Sequence, residues 1–223
     1  MTTRKPAVLF DLDGTLLDTI DLLLSSMRHA FRETPERMPK TEDWVAGIGT
    51  PLTVQLRAYA TDEADIAALA ASYRVYQREH HDRLTRAYEG VVDTVAAIHA
   101  TGRPTAVVTS KANDIAMRSV QWTGLDRYID VIVGADSTAR HKPDPEPVRY
   151  ALAALGSPAE TAVFIGDSPH DIHAGNAAGV ISVGALWGPF SRDQVMAAGP
   201  RYTLDRIRDL PALLDRLSVA TTD

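Results

Sequence analysis

Short apolar, β-branched runs recur at residues 7–11, 104–109, 130–133, 162–166 and 180–184, and each predicts a buried strand. Between the later runs the apolar positions switch to helical spacing, which predicts helices over 112–122, 145–155, 170–178 and 206–217. Strands alternating with helices indicate an α/β domain built on a parallel sheet. The interval after the first strand breaks this alternation. Residues 18–89 contain no convincing strand and read as helices at 19–33, 41–47, 51–60 and 62–86. A further helix at 91–100, with Val92, Val95 and Ile98 at helical spacing, leads back to the second strand. The pattern predicts a helical subdomain, residues 18–89, inserted into a core formed by residues 1–17 and 90–223. Its tethers fall near Leu17–Thr19 and Tyr88–Val91.

Composition narrows the chemistry. The chain has 223 residues, 45% of them hydrophobic, which suffices for a normal core. A net charge of −6 disfavours nucleic acid and anionic membrane surfaces, both of which call for a basic face. The absence of cysteine excludes disulfides, thiolate metal sites and cysteine nucleophiles. The start lacks the apolar stretch of a signal peptide and no run would span a bilayer, so a cytoplasmic protein is expected. Only four of the 23 basic residues are lysines, so a lysine in a special setting stands out.

In open α/β sheets, ligands bind at the carboxyl ends of the strands. The first strand ends in Asp11 and Asp13, which share one side of an extended backbone. The second ends in Thr109-Ser110, ahead of a lysine and a helix. The segment after the third carries Lys142-Pro143-Asp144-Pro145. The fourth runs into Gly166-Asp167-Ser168-Pro169-His170-Asp171. Carboxylates, a hydroxyl and an ammonium at one sheet edge are an inventory for a phosphate and a hard cation. Mg²⁺ prefers oxygen ligands, which Asp11, Asp167 and the Asp13 backbone carbonyl can supply. The Thr109 hydroxyl and the N–H groups of Thr109-Ser110 suit phosphate oxygens. Lys142 would neutralise charge between phosphate and nucleophile. Asp11 is the candidate nucleophile and Asp13 the candidate acid and base. Ser168 and Asp171 are expected around the metal rather than on it.

These four segments, in this order, resemble the haloacid dehalogenase superfamily. Asp11-Leu12-Asp13-Gly14-Thr15 is similar to its first motif, Val107-Val108-Thr109-Ser110 to its second and Lys142-Pro143-Asp144-Pro145 to its third. Gly166 to Asp171 is similar to the fourth, and Ala174-Gly175-Asn176-Ala177-Ala178-Gly179 to its continuation. The resemblance spans about residues 7–217 and looks closest to the phosphoglycolate phosphatase-like branch. It implies a Rossmann-like core with a helical cap, and a Mg²⁺-dependent phosphatase working through an aspartyl phosphate on a small phosphorylated metabolite. It further implies phosphate contacts from Leu12, Gly14, Thr15, Thr109, Ser110 and Lys142, with Gly47 and Gly49 of the cap loop facing the substrate. The acid at position 13 argues against a dehalogenase. A β-phosphoglucomutase-like phosphomutase or an inorganic pyrophosphatase would share every catalytic residue, and a non-catalytic phospho-ligand binder would need neither nucleophile nor acid. No arginine lies in the Gly47–Leu52 loop, although Arg57 is placed to reach inward. His170 and His173 are expected to be exposed or packed, and His80-His81 to lie on a solvated helical face. Trp44, Trp122 and Trp187 are expected to pack, Trp187 at the border of the site. Either a monomer or a homodimer is compatible with the sequence.

Overall fold

The computed structural model describes residues 5–219. Its main sheet contains β1 (Val8–Phe10), β4 (Thr105–Val108), β5 (Val131–Val133), β6 (Val163–Gly166), β7 (Ile181–Ala185) and β8 (Tyr202–Leu204). These strands run parallel in the order β5-β4-β1-β6-β7-β8, with Leu9 in register with Ala106 on one side and Phe164 on the other. Helices α5 (Val91–Ala100), α6 (Asn113–Trp122), α7 (Glu146–Leu155), α8 (Pro169–Ala178) and α10 (Leu210–Val219) cover it. The two-residue alternation of a strand sorts its side chains between the faces. Val8 and Phe10 join Val107, Ile165 and Val183 against α5, α6 and α10. Ala7 and Leu9 join Ala106, Val108 and Phe164 against α7 and α8. Burial on both faces is why these strands read as continuous apolar runs.

Helices α1 (Ile20–Ala30), α2 (Thr41–Ala46), α3 (Leu52–Leu56) and α4 (Glu63–Leu84) fill the interval after β1, with a short 3₁₀ turn at Pro35–Arg37. Leu23, Met27, Phe31, Trp44, Leu56, Ile66 and Tyr73 form a third apolar cluster among them, which also takes in Ile172, Phe190 and Val195. Asp62 caps α4 by accepting from the Asp65 N–H at 2.8 Å. One feature was not anticipated in this interval. The entering and leaving chains pair as a two-stranded antiparallel ribbon, β2 (Leu17–Asp18) with β3 (Arg86–Ala87). Farther on, α9 (Arg192–Ala197) and the edge strand β8 occupy a stretch for which no element was expected. The α9 start is fixed by a reciprocal Ser191–Gln194 capping box, and β8 is only three half-buried residues. No described helix is long and apolar enough to cross a membrane.

Candidate active site

The backbone N–H of Asp11 donates to Ile165 at 2.8 Å, so the chain is still held by the sheet as it leaves β1. Its carboxylate is therefore buried, 4% exposed. Lys142 compensates it: Nζ donates to Asp11 Oδ1 and Asp171 Oδ1, both at 2.6 Å, and to the Val108 carbonyl at 3.2 Å. Burial opposes the charge on Lys142, yet Asp11 and Asp171 together hold its pKa above the usual lysine value. Burial first, and the charge of Asp171 next, push the Asp11 pKa up to about 7 against the opposing pull of Lys142. Asp171 is more deeply placed than a residue merely near the site. Its second oxygen accepts from Ser168 N–H at 3.1 Å and Ser168 Oγ at 2.6 Å, closing a capping box at the start of α8. Gly166 admits it, since a Cβ there would lie 2.2 Å from Asp171 Cβ.

Asp167 follows β6 and lies in a cradle of glycines. A Cβ on Gly14, where φ is +91°, would meet its Oδ2 at 2.5 Å, and a Cβ on Gly188 would meet its Cβ at 2.4 Å. Thr15 Oγ1 donates to Asp167 Oδ1 at 2.6 Å, and Trp187 Nε1 donates to the Thr15 carbonyl at 2.8 Å. Thus Thr15 holds Asp167, and Gly14, whose own N–H donates to Leu17, makes room for it. Asp167 Oδ2 is buried with no hydrogen-bond partner among the described residues. Burial, then repulsion from Asp171 and Asp11, raises the Asp167 pKa well above the carboxylate range. Carboxylate oxygens of Asp11, Asp167 and Asp171 lie within 4.8 Å of one another. An unpartnered oxygen in an all-oxygen cluster fits a hard divalent cation. Because both oxygens of Asp171 are already engaged, Asp11 and Asp167 are the side chains free to ligate.

Asp13 lies at the mouth of the site, its side chain 12% exposed. Its Oδ1 accepts from Thr19 Oγ1 at 2.5 Å and from Lys111 Nζ at 2.6 Å. Lys111, with a side chain 3% exposed, is a site residue beyond those expected from the sequence. The available signal was its position directly after Thr109-Ser110 and the scarcity of lysine in the chain. The Thr109 N–H extends the sheet to Val133 at 2.9 Å, and Thr109 Oγ1 accepts from the Lys111 N–H at 3.2 Å. Of the phosphate donors expected here, the Thr109 N–H is therefore already committed. The Ser110 hydroxyl donates to the Gly49 carbonyl, tying β4 to the helical interval. Asp11, Asp13, Thr109, Ser110 and Lys111 open on a cavity of about 760 Å³ whose far wall includes Trp44, Gly49, Tyr73 and Gln77.

A family model described as haloacid dehalogenase-like hydrolase matches residues 8–185. The chain belongs to this family. It is 38% identical over 212 residues, 95% of the chain and 96% of the relative, to a protein named pyrophosphatase PpaX from Halalkalibacterium halodurans. It is 34% identical over 215 residues, 96% of the chain and 98% of the relative, to one of the same name from Listeria monocytogenes. A structure described as a predicted phosphoglycolate phosphatase from Haemophilus somnus superposes with a TM-score of 0.86 at 24% identity, covering 96% of this chain and 99% of that one. A hydrolase from Pseudomonas syringae gives 0.85 at 23%, covering 95% and 99%. At these identities the two structures establish the shared fold.

In this haloacid dehalogenase-like hydrolase the Gly47–Leu52 loop reaches the sheet edge, but its two glycines differ. Gly47 ends α2 in an ordinary right-handed conformation and accepts from Thr50. Gly49, at φ +100°, abuts the site: a Cβ there would lie 2.9 Å from Ser168 Oγ and 3.2 Å from the His170 ring. His170 is half-buried and His173 exposed. Three expectations need correction. His81 is fully buried, because α4 packs on α6 there: its ring bonds Asp82 at 2.7 Å and Ser119 at 2.8 Å. Arg57 points outward and pairs with the exposed Glu63. Trp44 packs in the core, but Trp122, at the end of α6, is 53% exposed. Leu12 is a fully buried core residue, so any phosphate contact falls to its backbone.

Proposed function

We propose that this chain is a Mg²⁺-dependent phosphohydrolase that uses an aspartyl-phosphate intermediate, with inorganic pyrophosphate as its substrate. The observation that carries the phosphoryl-transfer chemistry is the unequal setting of the two acids after β1. Asp11 is buried and clamped by Lys142, as suits a nucleophile, whereas Asp13 faces the cavity, as suits a proton carrier. A carboxylate oxygen of Asp11 attacks phosphorus while the bond to the leaving oxygen breaks. Asp13 gives its proton to that oxygen, then takes one from the water that attacks the phosphoryl group and returns Asp11 to its carboxylate. Lys142 and the Thr109 hydroxyl offset the charge gathered on the phosphoryl oxygens. Asp11, Asp167 and the Asp13 carbonyl would hold Mg²⁺, which supplies Lewis-acid stabilisation of phosphoryl charge when bound.

The pyrophosphate assignment is supported by the relatives named pyrophosphatase, which are more similar to this chain than the fold-level neighbour described as a phosphoglycolate phosphatase. The expected cap, residues 18–89, is taken to be a separate unit hinged at the β2–β3 ribbon, closing Gly49 onto the phosphate-binding edge. The test is turnover of pyrophosphate, phosphoglycolate and hexose phosphates with Mg²⁺, by wild type and Asp11→Asn. Pyrophosphate is expected to lead and the variant to be inactive. A variant free of host phosphatase that retains near-wild-type activity overturns the nucleophile assignment, and a different leading substrate overturns the pyrophosphate assignment.

A further inference from the structure

Of the two buried ammonium groups at this site, Lys142 serves Asp11, and Lys111 has no part in the mechanism above. Lys111 is held as firmly as a working residue. Its N–H donates to Thr109 Oγ1 at 3.2 Å and its carbonyl accepts from Ala135 at 2.9 Å. Gly134 allows this approach, since a Cβ there would lie 2.7 Å from the Lys111 carbonyl. The next turn is fixed by Asn113, whose N–H donates to Asp136 at 2.8 Å and whose side-chain oxygen accepts from Gly134 at 2.9 Å.

The ammonium so positioned is 2.6 Å from Asp13 Oδ1, the acid assigned to the leaving oxygen. It therefore stands on the leaving-group side of the site, while Lys142 stands on the Asp11–Asp171 side. An ammonium has three donors, and Asp13 takes one. Arg74 and Arg78 of α4 line the same cavity, Arg78 being paired with Asp114 at 2.9 Å. We propose that Lys111 is a specificity-determining residue that selects substrates whose leaving group is itself an anion, hydrogen-bonding an oxyanion next to the scissile oxygen. The distal phosphate of pyrophosphate and the carboxylate of phosphoglycolate share that chemistry; a neutral alcohol lacks it. The inference rests on the proposed role of Asp13. When the P–O bond breaks, its electron pair goes to the leaving oxygen, the proton comes from Asp13, and Lys111 stays protonated as the charge partner of the departing anion.

The test compares kcat/KM for pyrophosphate, phosphoglycolate and ethyl phosphate in wild type and Lys111→Met. Activity on all three is expected to fall, because Asp13 loses its partner. The preference for the anionic leaving groups over ethyl phosphate is expected to fall about 10- to 150-fold further, the kinetic equivalent of one charge-assisted hydrogen bond. An equal loss on all three overturns the inference and leaves Lys111 as a support for Asp13 only. Lys111→Gln, neutral but still able to bond Asp13, is read in the same way should the Met variant fail to fold. A wild-type enzyme inactive on pyrophosphate, but with a preference for phosphoglycolate that Lys111 sets, overturns the pyrophosphate reading and sustains this one. Wild-type turnover of pyrophosphate with a preference that Lys111→Met leaves intact does the reverse. An enzyme that cleaves none of the three overturns both.

Discussion

Replacing Asp171 with Asn separates two roles that its position allows. Asp171 belongs to the carboxylate cluster that fits a cation, yet it accepts from Lys142 Nζ at 2.6 Å with one oxygen and from Ser168 with the other. If Asp171 orients Lys142 and does not ligate metal, Asp171→Asn should chiefly harm the chemical step. The amide keeps a hydrogen bond to the charged lysine, a type that contributes about 1.5–3 kcal/mol, but loses the charge on the acceptor. Taking that loss as part of the bond, roughly 1–2 kcal/mol, predicts a kcat lower by about 5- to 30-fold. Stability should move little, because two effects oppose each other. The Asn amide presents a donor to Ser168, and losing the cap interaction costs about 0.5–2 kcal/mol. Removing the Asp171 charge relieves its repulsion of Asp11 and Asp167. The assay is continuous phosphate release across a Mg²⁺ titration, with a thermal melt of the same preparation. Half-saturating Mg²⁺ is expected within about threefold of wild type, less than 1 kcal/mol. An unchanged kcat together with a Mg²⁺ requirement raised by about tenfold or more would assign Asp171 to the metal and refute the reasoning.

Gly188→Ala drives a methyl group against Asp167, and such overpacking costs about 1–3 kcal/mol. A lower melting temperature and a raised Mg²⁺ requirement are expected, and a variant unchanged in both contradicts the glycine cradle. The buried His81 has its pKa held below the ordinary histidine value, first by burial and against the pull of Asp82. The unfolded chain thus binds a proton more readily than the folded one, so this contribution is complete above the ordinary histidine pKa of about 6.5 and is lost as pH falls below it. Urea midpoints at neutral and mildly acidic pH should fall less in His81→Gln than in wild type, and parallel declines would dismiss His81 as a source.

What the sequence revealed and what it withheld follow from how far each interaction reaches. Asp11, Thr109, Lys142 and Asp167 were legible because each ends or follows an apolar strand, and parallel strands bring their carboxyl ends to one edge. The capping box of Ser168 and Asp171 is a local i, i+3 pattern, but its link to Lys142 is 29 residues distant and depends on where the loop after β5 crosses the sheet. Lys111 carries no local mark of burial; besides the local contact with Thr109, it is Ala135 and Gly134, on the neighbouring loop, that hold it beside Asp13. His81 sits in a long, mostly polar helix whose pattern suggests a wet surface. It is dry because Ser119 of α6 lies against it, a contact that required the placement of α4 on the core. The β2–β3 ribbon is two residues per strand, too short for any periodicity to declare itself.

The two lysines and four acids explain one another when taken as a single charge system. Asp11, Asp13, Asp167 and Asp171 are largely withdrawn from water, and burying unpaired carboxylates is costly. Lys142 compensates Asp11 and Asp171, and Lys111 compensates Asp13. Among the described residues, Asp167 is left with a threonine hydroxyl on one oxygen and no hydrogen-bond partner on the other. The raised pKa values of Asp11 and Asp167 are the consequence: each is pushed toward its neutral form by burial and by its acidic neighbours. Burial and the acidic neighbours thus work against the ionised form that a nucleophile needs. The same two residues are those with oxygens open to a cation. The two carboxylates whose charge the surroundings oppose and the donor set for a divalent ion therefore coincide at Asp11 and Asp167, so on the proposed mechanism a bound cation would favour the ionised nucleophile.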